Sequence, residues 1–324
     1  MNKRAFLIRR MIQSIFILFL TVTIIFFMFR VIPSNPVSML IDSQISPEDR
    51  QAILAEWGFD KPLYIQYLRY VRNLLAGDFG ISFYYRKPVF DVLAETLMNT
   101  FVLMGLTMAI TVIGAILGGA YLGWRRGSRT EKITVVSAIF IHAMPLYWTG
   151  IVALMLFTYY IRLFPTGGMH PLGYEYTSLW GKYFSLDFLR HLVLPLVCAL
   201  LYYLPNPMLI MRASMLEVKG EDFLEMSVAR GFRERTVIMH CARNALIPVI
   251  THMAILSGFV FGGQVLLETV FTWPGMGREL VKAVMGLDYP VAQATFFLMS
   301  VTVILMNLIA DLLYGLLDPR ITYK

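Results

Sequence analysis

Apolar residues run without a Lys, Arg, Asp or Glu through six windows: Met11 to Phe29, Thr100 to Gly123, Ile133 to Ile161, His191 to Met211, Ala245 to Leu267 and Tyr289 to Ala310. A helix crosses the hydrocarbon layer in about 20 residues, so each window predicts one transmembrane helix. The third window is long and carries Pro145. It fits one tilted, kinked span or a half-helix leading into another, and is counted as one. The first run follows Lys3, Arg4, Arg9 and Arg10, as a signal peptide would. Its apolar stretch is too long, and Arg30-Val31-Ile32-Pro33 offers no small-residue cleavage site, so a retained anchor is expected. The fold class expected is all-α membrane protein with six transmembrane helices.

Composition agrees, at 57% hydrophobic and 15% charged residues, where soluble domains carry about 25% charged. The two cysteines, Cys198 and Cys241, supply neither a disulfide framework nor a thiolate metal site. Lys and Arg set the expected orientation. Sixteen lie in the segments on the amino-terminal side of the membrane and five in the two short loops on the other, the first outer loop being too long to count. Both termini are therefore expected in the cytoplasm. This asymmetry explains the net charge of +7, and no basic face outside the membrane framework offers itself to nucleic acid.

The cytoplasmic segment Arg212 to Arg243 holds the densest information. Glu221 and Asp222 suit a helix start. Phe223, Met226 and Ala229 recur every three residues to give a short apolar face. Gly231 then breaks the helix and a basic helix follows. Such a knob can lie on lipid or enter a groove of a soluble partner. Within the spans, Gly114 with Gly118 and Gly258 with Gly262 permit close backbone approach. That approach serves packing inside this chain or against a second membrane subunit.

Asp222, Phe223, Ala229, Gly231 and the run Arg243-Asn244-Ala245-Leu246-Ile247-Pro248 resemble the cytoplasmic signature of the binding-protein-dependent permeases of oligopeptide, dipeptide and nickel ABC importers. Further matches are Pro33-Ser34-Asn35-Pro36, Gly77-Asp78-Phe79-Gly80 with Ser82, Glu268 through Gly277, Asp288-Tyr289-Pro290, Asp311 through Tyr314 and Asp318-Pro319-Arg320. Two positions depart from the pattern: Glu225 stands where a basic residue is common, and Ser227 where alanine is.

The resemblance implies a type I ABC importer permease in a bacterial or archaeal cytoplasmic membrane. It also implies a second homologous permease, two ATP-binding subunits carrying ATP and Mg, and an extracytoplasmic solute-binding protein. Glu221, Asp222, Phe223, Glu225, Ala229, Arg230 and Gly231 would form the ATPase-coupling loop. The implied solute is a di- or oligopeptide, with nickel or another metal chelate as the alternative. The expected domain plan is a first segment of residues 1–30, an extracytoplasmic helical loop of 31–99, and a permease core of 100–318 with the coupling loop at 213–244. A cytoplasmic end of 319–324 completes it.

In the outer loop, Ser46-Pro47-Glu48-Asp49 reads as a helix start and Gly58 as its end. A second helix presents Tyr64, Tyr67, Leu68, Val71 and Leu75 on one face before Gly77. The pair covers a pathway mouth, receives a binding protein, or packs on its own spans. Trp273, Pro274, Gly275 and Gly277 interrupt regular helix and read as an outer gate or re-entrant turn, or as a simple surface loop. His252, Gln264 and Asn307 are candidate pathway residues or interhelical hydrogen bonders.

No nucleotide cradle is present: Gly181-Lys182 is followed by Tyr183 and lacks the glycine that should precede it. An intramembrane aspartyl protease would need two facing carboxylates, and the spans offer only Asp311, at an inner helix end. Asp311 is read as the partner of an interfacial arginine, or as a proton relay. The five histidines show no ligand spacing, so no metal site of the chain's own is expected. A stand-alone secondary transporter would carry related halves, which the loops do not show.

Overall fold

The computed structural model describes residues 3–31, 61–176, 178–261 and 264–317. The helix expected from Ser46 to Gly58, the Pro33 to Pro36 motif, Gly262 and Asp318-Pro319-Arg320 lie outside them. Thirteen helices occupy the described residues: α1 Lys3–Val31, α2 Leu63–Leu75, α3 Val89–Trp124, α4 Arg129–His142, α5 Leu146–Leu154, α6 Leu179–Phe184, α7 Leu186–Tyr203, α8 Pro205–Lys219, α9 Asp222–Ala229, α10 Glu234–Phe261, α11 Val265–Val270, α12 Met276–Met285 and α13 Tyr289–Leu317. Helix α5 continues as a π-helical turn, Met155–Tyr160. No strand occurs among the described residues, only an isolated bridge between Ile81 and Pro88.

Among the described residues five helices are long and apolar enough to cross a membrane, and six if the bent pair of α4 and α5 is one broken span. The first, second and sixth windows each fall inside one helix. The third is not a single tilted span, because α4 and α5 meet at 98°. Pro145 has no N–H and sits extended at ψ 133°, and proline pushes the residue before it out of the helical region. The fourth window is interrupted at Leu204, where Pro205 opens α8. The fifth was expected to run to Leu267, but α10 ends at Phe261 and Leu267 belongs to the separate α11.

The glycines of α3 explain its closest packing. A Cβ on Gly119 would stand 2.5 Å from the Met208 carbonyl oxygen, and one on Gly123 would stand 2.5 Å from Met215 Cβ. Gly114 faces Leu204, the residue before α8, and Gly118 faces Met208 of α8. The small-residue stripe therefore serves packing within this chain. Gly258 does likewise, opposite Asn307 of α13.

Helix α3 meets the turn between α11 and α12 at Asn99 and Thr100, and its first residues, Val89 and Leu93, pack in one cluster with Tyr289 and Val291 at the start of α13. At the far end of α13, Asp311 pairs with Arg10 of α1 at 3.1 Å. The expected arginine partner is thus found, and both terminal helices have their chain ends on one side of the molecule. The far end of α3 carries the knob.

Candidate functional site

The knob is built on Trp124, the last residue of α3. Its indole N–H donates to Glu234 Oε1 at the start of α10 (2.8 Å). Lys219, the last residue of α8, places its ammonium 4.7 Å over the Trp124 ring and donates to the Trp124 carbonyl (3.2 Å). The two helices that flank α9 are thereby tied to one side chain. Helix α9 opens at Glu221, whose extended backbone precedes Asp222 and Glu225 in the first turn. It closes at Gly231, where φ is +76°. There the Phe232 N–H reaches back to the Ser227 carbonyl (3.2 Å) and the Gly231 N–H to the Val228 carbonyl (2.9 Å), a left-handed stop that favours glycine.

The buried positions of α9 are Leu224 and Ser227, and Leu224 packs with Met211, Met215, Val237 and Cys241. The apolar face read from the sequence is thus not the packed one: Phe223 is half-buried, while Met226 and Ala229 are exposed. An amphipathic helix wedged between two longer ones presents its i, i+3 positions inward, and Leu224 with Ser227 holds that register. What remains outside is an apolar tip of Met226, Val228 and Phe232, flanked by exposed Glu221, Asp222, Glu225 and Arg230.

At the opposite end the segment from Glu268 to Gly277 folds into a buried turn. Trp273 and Glu268 have no exposed surface. The Thr100 hydroxyl donates to Glu268 Oε1 (2.6 Å) and accepts from the Met276 N–H (2.9 Å). Glu268 Oε2 accepts from the Arg278 N–H (3.1 Å). Trp273 donates its indole N–H to the Asn99 carbonyl (3.0 Å), and Asn99 Nδ2 donates to the Pro274 carbonyl (2.9 Å). Gly275 is required because a Cβ there would stand 2.4 Å from the Glu268 carboxyl carbon, and Gly277 because one would stand 2.7 Å from Val265 Cα. The irregular backbone is thus enclosed in protein, the condition under which such backbone is tolerated at membrane depth, and is no simple surface loop.

No hydrogen bond found among the described residues joins the three pathway candidates to one another. Asn307 is exposed and lies against Gly258. Gln264 donates to the Phe259 carbonyl (3.3 Å). His252 Nε2 is buried with no hydrogen-bond partner among the described residues.

These two ends can be set beside known proteins. Residues 110–323 match the binding-protein-dependent transport system inner membrane component, and residues 3–104 match the N-terminal part of such membrane components. The chain belongs to this family of importer permeases. It is similar to the dipeptide transport system permease protein DppB of Escherichia coli K12, with 35% identity over 323 residues covering 94% of this chain and 95% of that one. The oligopeptide transport system permease protein AppB of Bacillus subtilis is 34% identical, covering 98% and 99%. The glutathione transport system permease protein GsiC of Escherichia coli K12 is 31% identical, covering 98% and 99%.

Several side-chain pairings that organise the permease escaped sequence reasoning. Glu131 is buried at the start of α4. It reaches the Gly127 N–H (3.3 Å), receives the Arg212 guanidinium (2.8 Å from Nε), and lends its own N–H to Ser128. The capping spacing Ser128-x-x-Glu131 was a legible signal. Asp288, also buried, accepts from the Ser82 hydroxyl and the Phe83 and Tyr84 N–H groups (3.2 and 3.1 Å). Two motifs some 200 residues apart thereby meet. Lys182, buried, pairs with Glu95 (2.7 Å) and lies over the rings of Tyr176 and Tyr183. Tyr183 in turn donates to Asn99 (2.8 Å). The Tyr176 hydroxyl donates to the same carboxylate (2.7 Å), and that bond pushes the phenol above its ordinary range.

Proposed function

We propose that this chain is one permease subunit of an ATP-binding-cassette importer that carries peptides across the cytoplasmic membrane. The observation that carries the reading is the knob: a short helix clamped at its base by Trp124, ending in a left-handed glycine, with an exposed apolar tip among charged residues. A rigid amphipathic helix of this kind fits the groove of a soluble partner. Here the partner is an ATPase subunit, and Glu221 to Gly231 is the coupling loop. The chain works with a second homologous permease, two ATPases that hold ATP and Mg, and an extracytoplasmic binding protein. It has no catalytic site of its own.

Both termini and the knob face the cytoplasm, and residues 31–99 form the extracytoplasmic loop. The core spans 100–318, and the junction of the two family matches between 104 and 110 supports that division. ATP-driven closure of the ATPases pushes α9, and the helices reorient about a midplane pathway. The turn from Trp273 to Gly277, locked to α3, acts as the outer gate; His252, Gln264 and Asn307 line the way. The names of the relatives, with dipeptide, oligopeptide and glutathione among them, favour a peptide solute over nickel.

The test is purification of the tagged chain from its native membrane in mild detergent, with mass spectrometry of what remains bound. An ATPase, a second permease and a binding protein are expected, the last holding the solute. Purification of the chain alone, even after cross-linking at Val228, would overturn the reading in favour of a stand-alone transporter.

A further inference from the structure

Helix α2 carries no acidic residue and no buried side chain, yet it is strongly two-sided. One side meets α1: Tyr67 shares a hydrogen bond with Thr23 (2.8 Å), stacks on Phe27, and with Tyr70 packs its ring against Phe26. About 100° around the helix lie Tyr64, Leu68 and Leu75, exposed by 66%, 64% and 83%. Further round come Arg72 and Arg69, both exposed. Protein contact, apolar exposure and positive charge thus follow one another around a single helix.

Depth fixes what the apolar side meets. The apolar span of α1 runs from Ile8 to Arg30, and α2 touches it between Thr23 and Phe27. Those contacts lie three to seven residues short of Arg30, on the order of 5–10 Å of helix rise, the depth at which an interfacial helix buries its apolar face. Around this contact Ile24, Phe27 and Met28 of α1 are themselves exposed apolar residues. The stacked pair of Phe27 and Tyr67 continues that lipid-facing surface onto α2. Three tyrosines on the same helix are the side chains that settle at a bilayer interface.

We infer that α2 lies in the bilayer interface at the end of α1 remote from Arg10, with Tyr64, Leu68 and Leu75 in lipid and Arg69 and Arg72 on the headgroups of anionic phospholipid. The helix is a lipid-binding surface that anchors the outer segment beside the first span. It does not depend on which solute is carried or on the ATPase docking.

Site-directed spin labelling tests this in the full chain reconstituted into vesicles of phosphatidylcholine, with and without phosphatidylglycerol. Cys198 and Cys241 are buried, so the label goes to the introduced cysteine of L68C, L75C or R69C. In L68C and L75C, collision with a water-soluble nickel chelate is expected to be several-fold lower than in R69C, with collision with oxygen several-fold higher. Phosphatidylglycerol is expected to deepen the L68C label, and the added substitution R72Q to reduce that shift. Equal chelate collision in L68C and R69C would put the face in water and overturn the inference. Shielding of L68C from both chelate and oxygen would put a protein there, and would overturn it equally.

Discussion

Glu268 is a carboxylate with no exposed surface, so its partners must be local. Both of its oxygens accept: one from the Thr100 hydroxyl and one from the Arg278 N–H. The Thr100 oxygen also accepts from the Met276 N–H, so this one hydroxyl joins Glu268 to the start of α12. A glutamine has a single acceptor oxygen, so in E268Q an NH2 must face a donor. E268Q is therefore expected to lower stability by about 1–3 kcal/mol, while T100S, which keeps the hydroxyl, loses little. Thermal unfolding of the detergent-purified chain checks this, and an unchanged melting temperature in E268Q would contradict the latch. G275A tests the same contact from the other side. Its methyl group would overlap the Glu268 carboxylate, with a cost of about 1–3 kcal/mol from overpacking and a loss of uptake at normal expression.

Among the elements, α9 separates what the sequence carried from what it hid. The break at Gly231 was legible because glycine followed a short helical pattern, and φ of +76° is the reason for it. The packed face was not, because Leu224 and Ser227 are chosen by the neighbours α8 and α10, which a local pattern does not contain. The end of α10 short of Leu267 was hidden likewise, since the apolar run continues through the break, whereas Pro145 made the bend between α4 and α5 legible as one of two readings. A Cβ on Gly231 meets nothing within 4 Å, so substitutions act there through the backbone alone. G231V is expected to strain the stop by about 1–2 kcal/mol, and G231N, which tolerates the left-handed region, much less. With the coupling assignment, G231V inserts normally and hydrolyses ATP without matching uptake, while G231N transports. Normal uptake in G231V would remove the coupling role from this loop.

On the scale of the whole molecule, sidedness follows from where contacts close. Trp124 with Glu234 marks the knob end of α3, and Arg10 with Asp311 marks the matching end of α13. Thr100 with Glu268, and Ser82 with Asp288, close the other end. The loop between α5 and α6 belongs to that other end, since Gly168 donates its N–H to the Phe271 carbonyl (2.9 Å) and Tyr176 reaches Glu95. The orientation proposed from the Lys and Arg asymmetry puts the knob end in the cytoplasm. Leu172 and Val228 are both exposed, at opposite ends, and the native cysteines are buried. A membrane-impermeant maleimide applied to intact cells is therefore expected to label L172C and spare V228C, and inverted vesicles to reverse the pattern. Labelling of both variants from one face would break the arrangement of contacts itself, because no rotation of this fold brings both loops to one side. Labelling with the two faces exchanged would leave the fold intact and turn the knob away from ATP, which removes the importer mechanism while sparing the architecture.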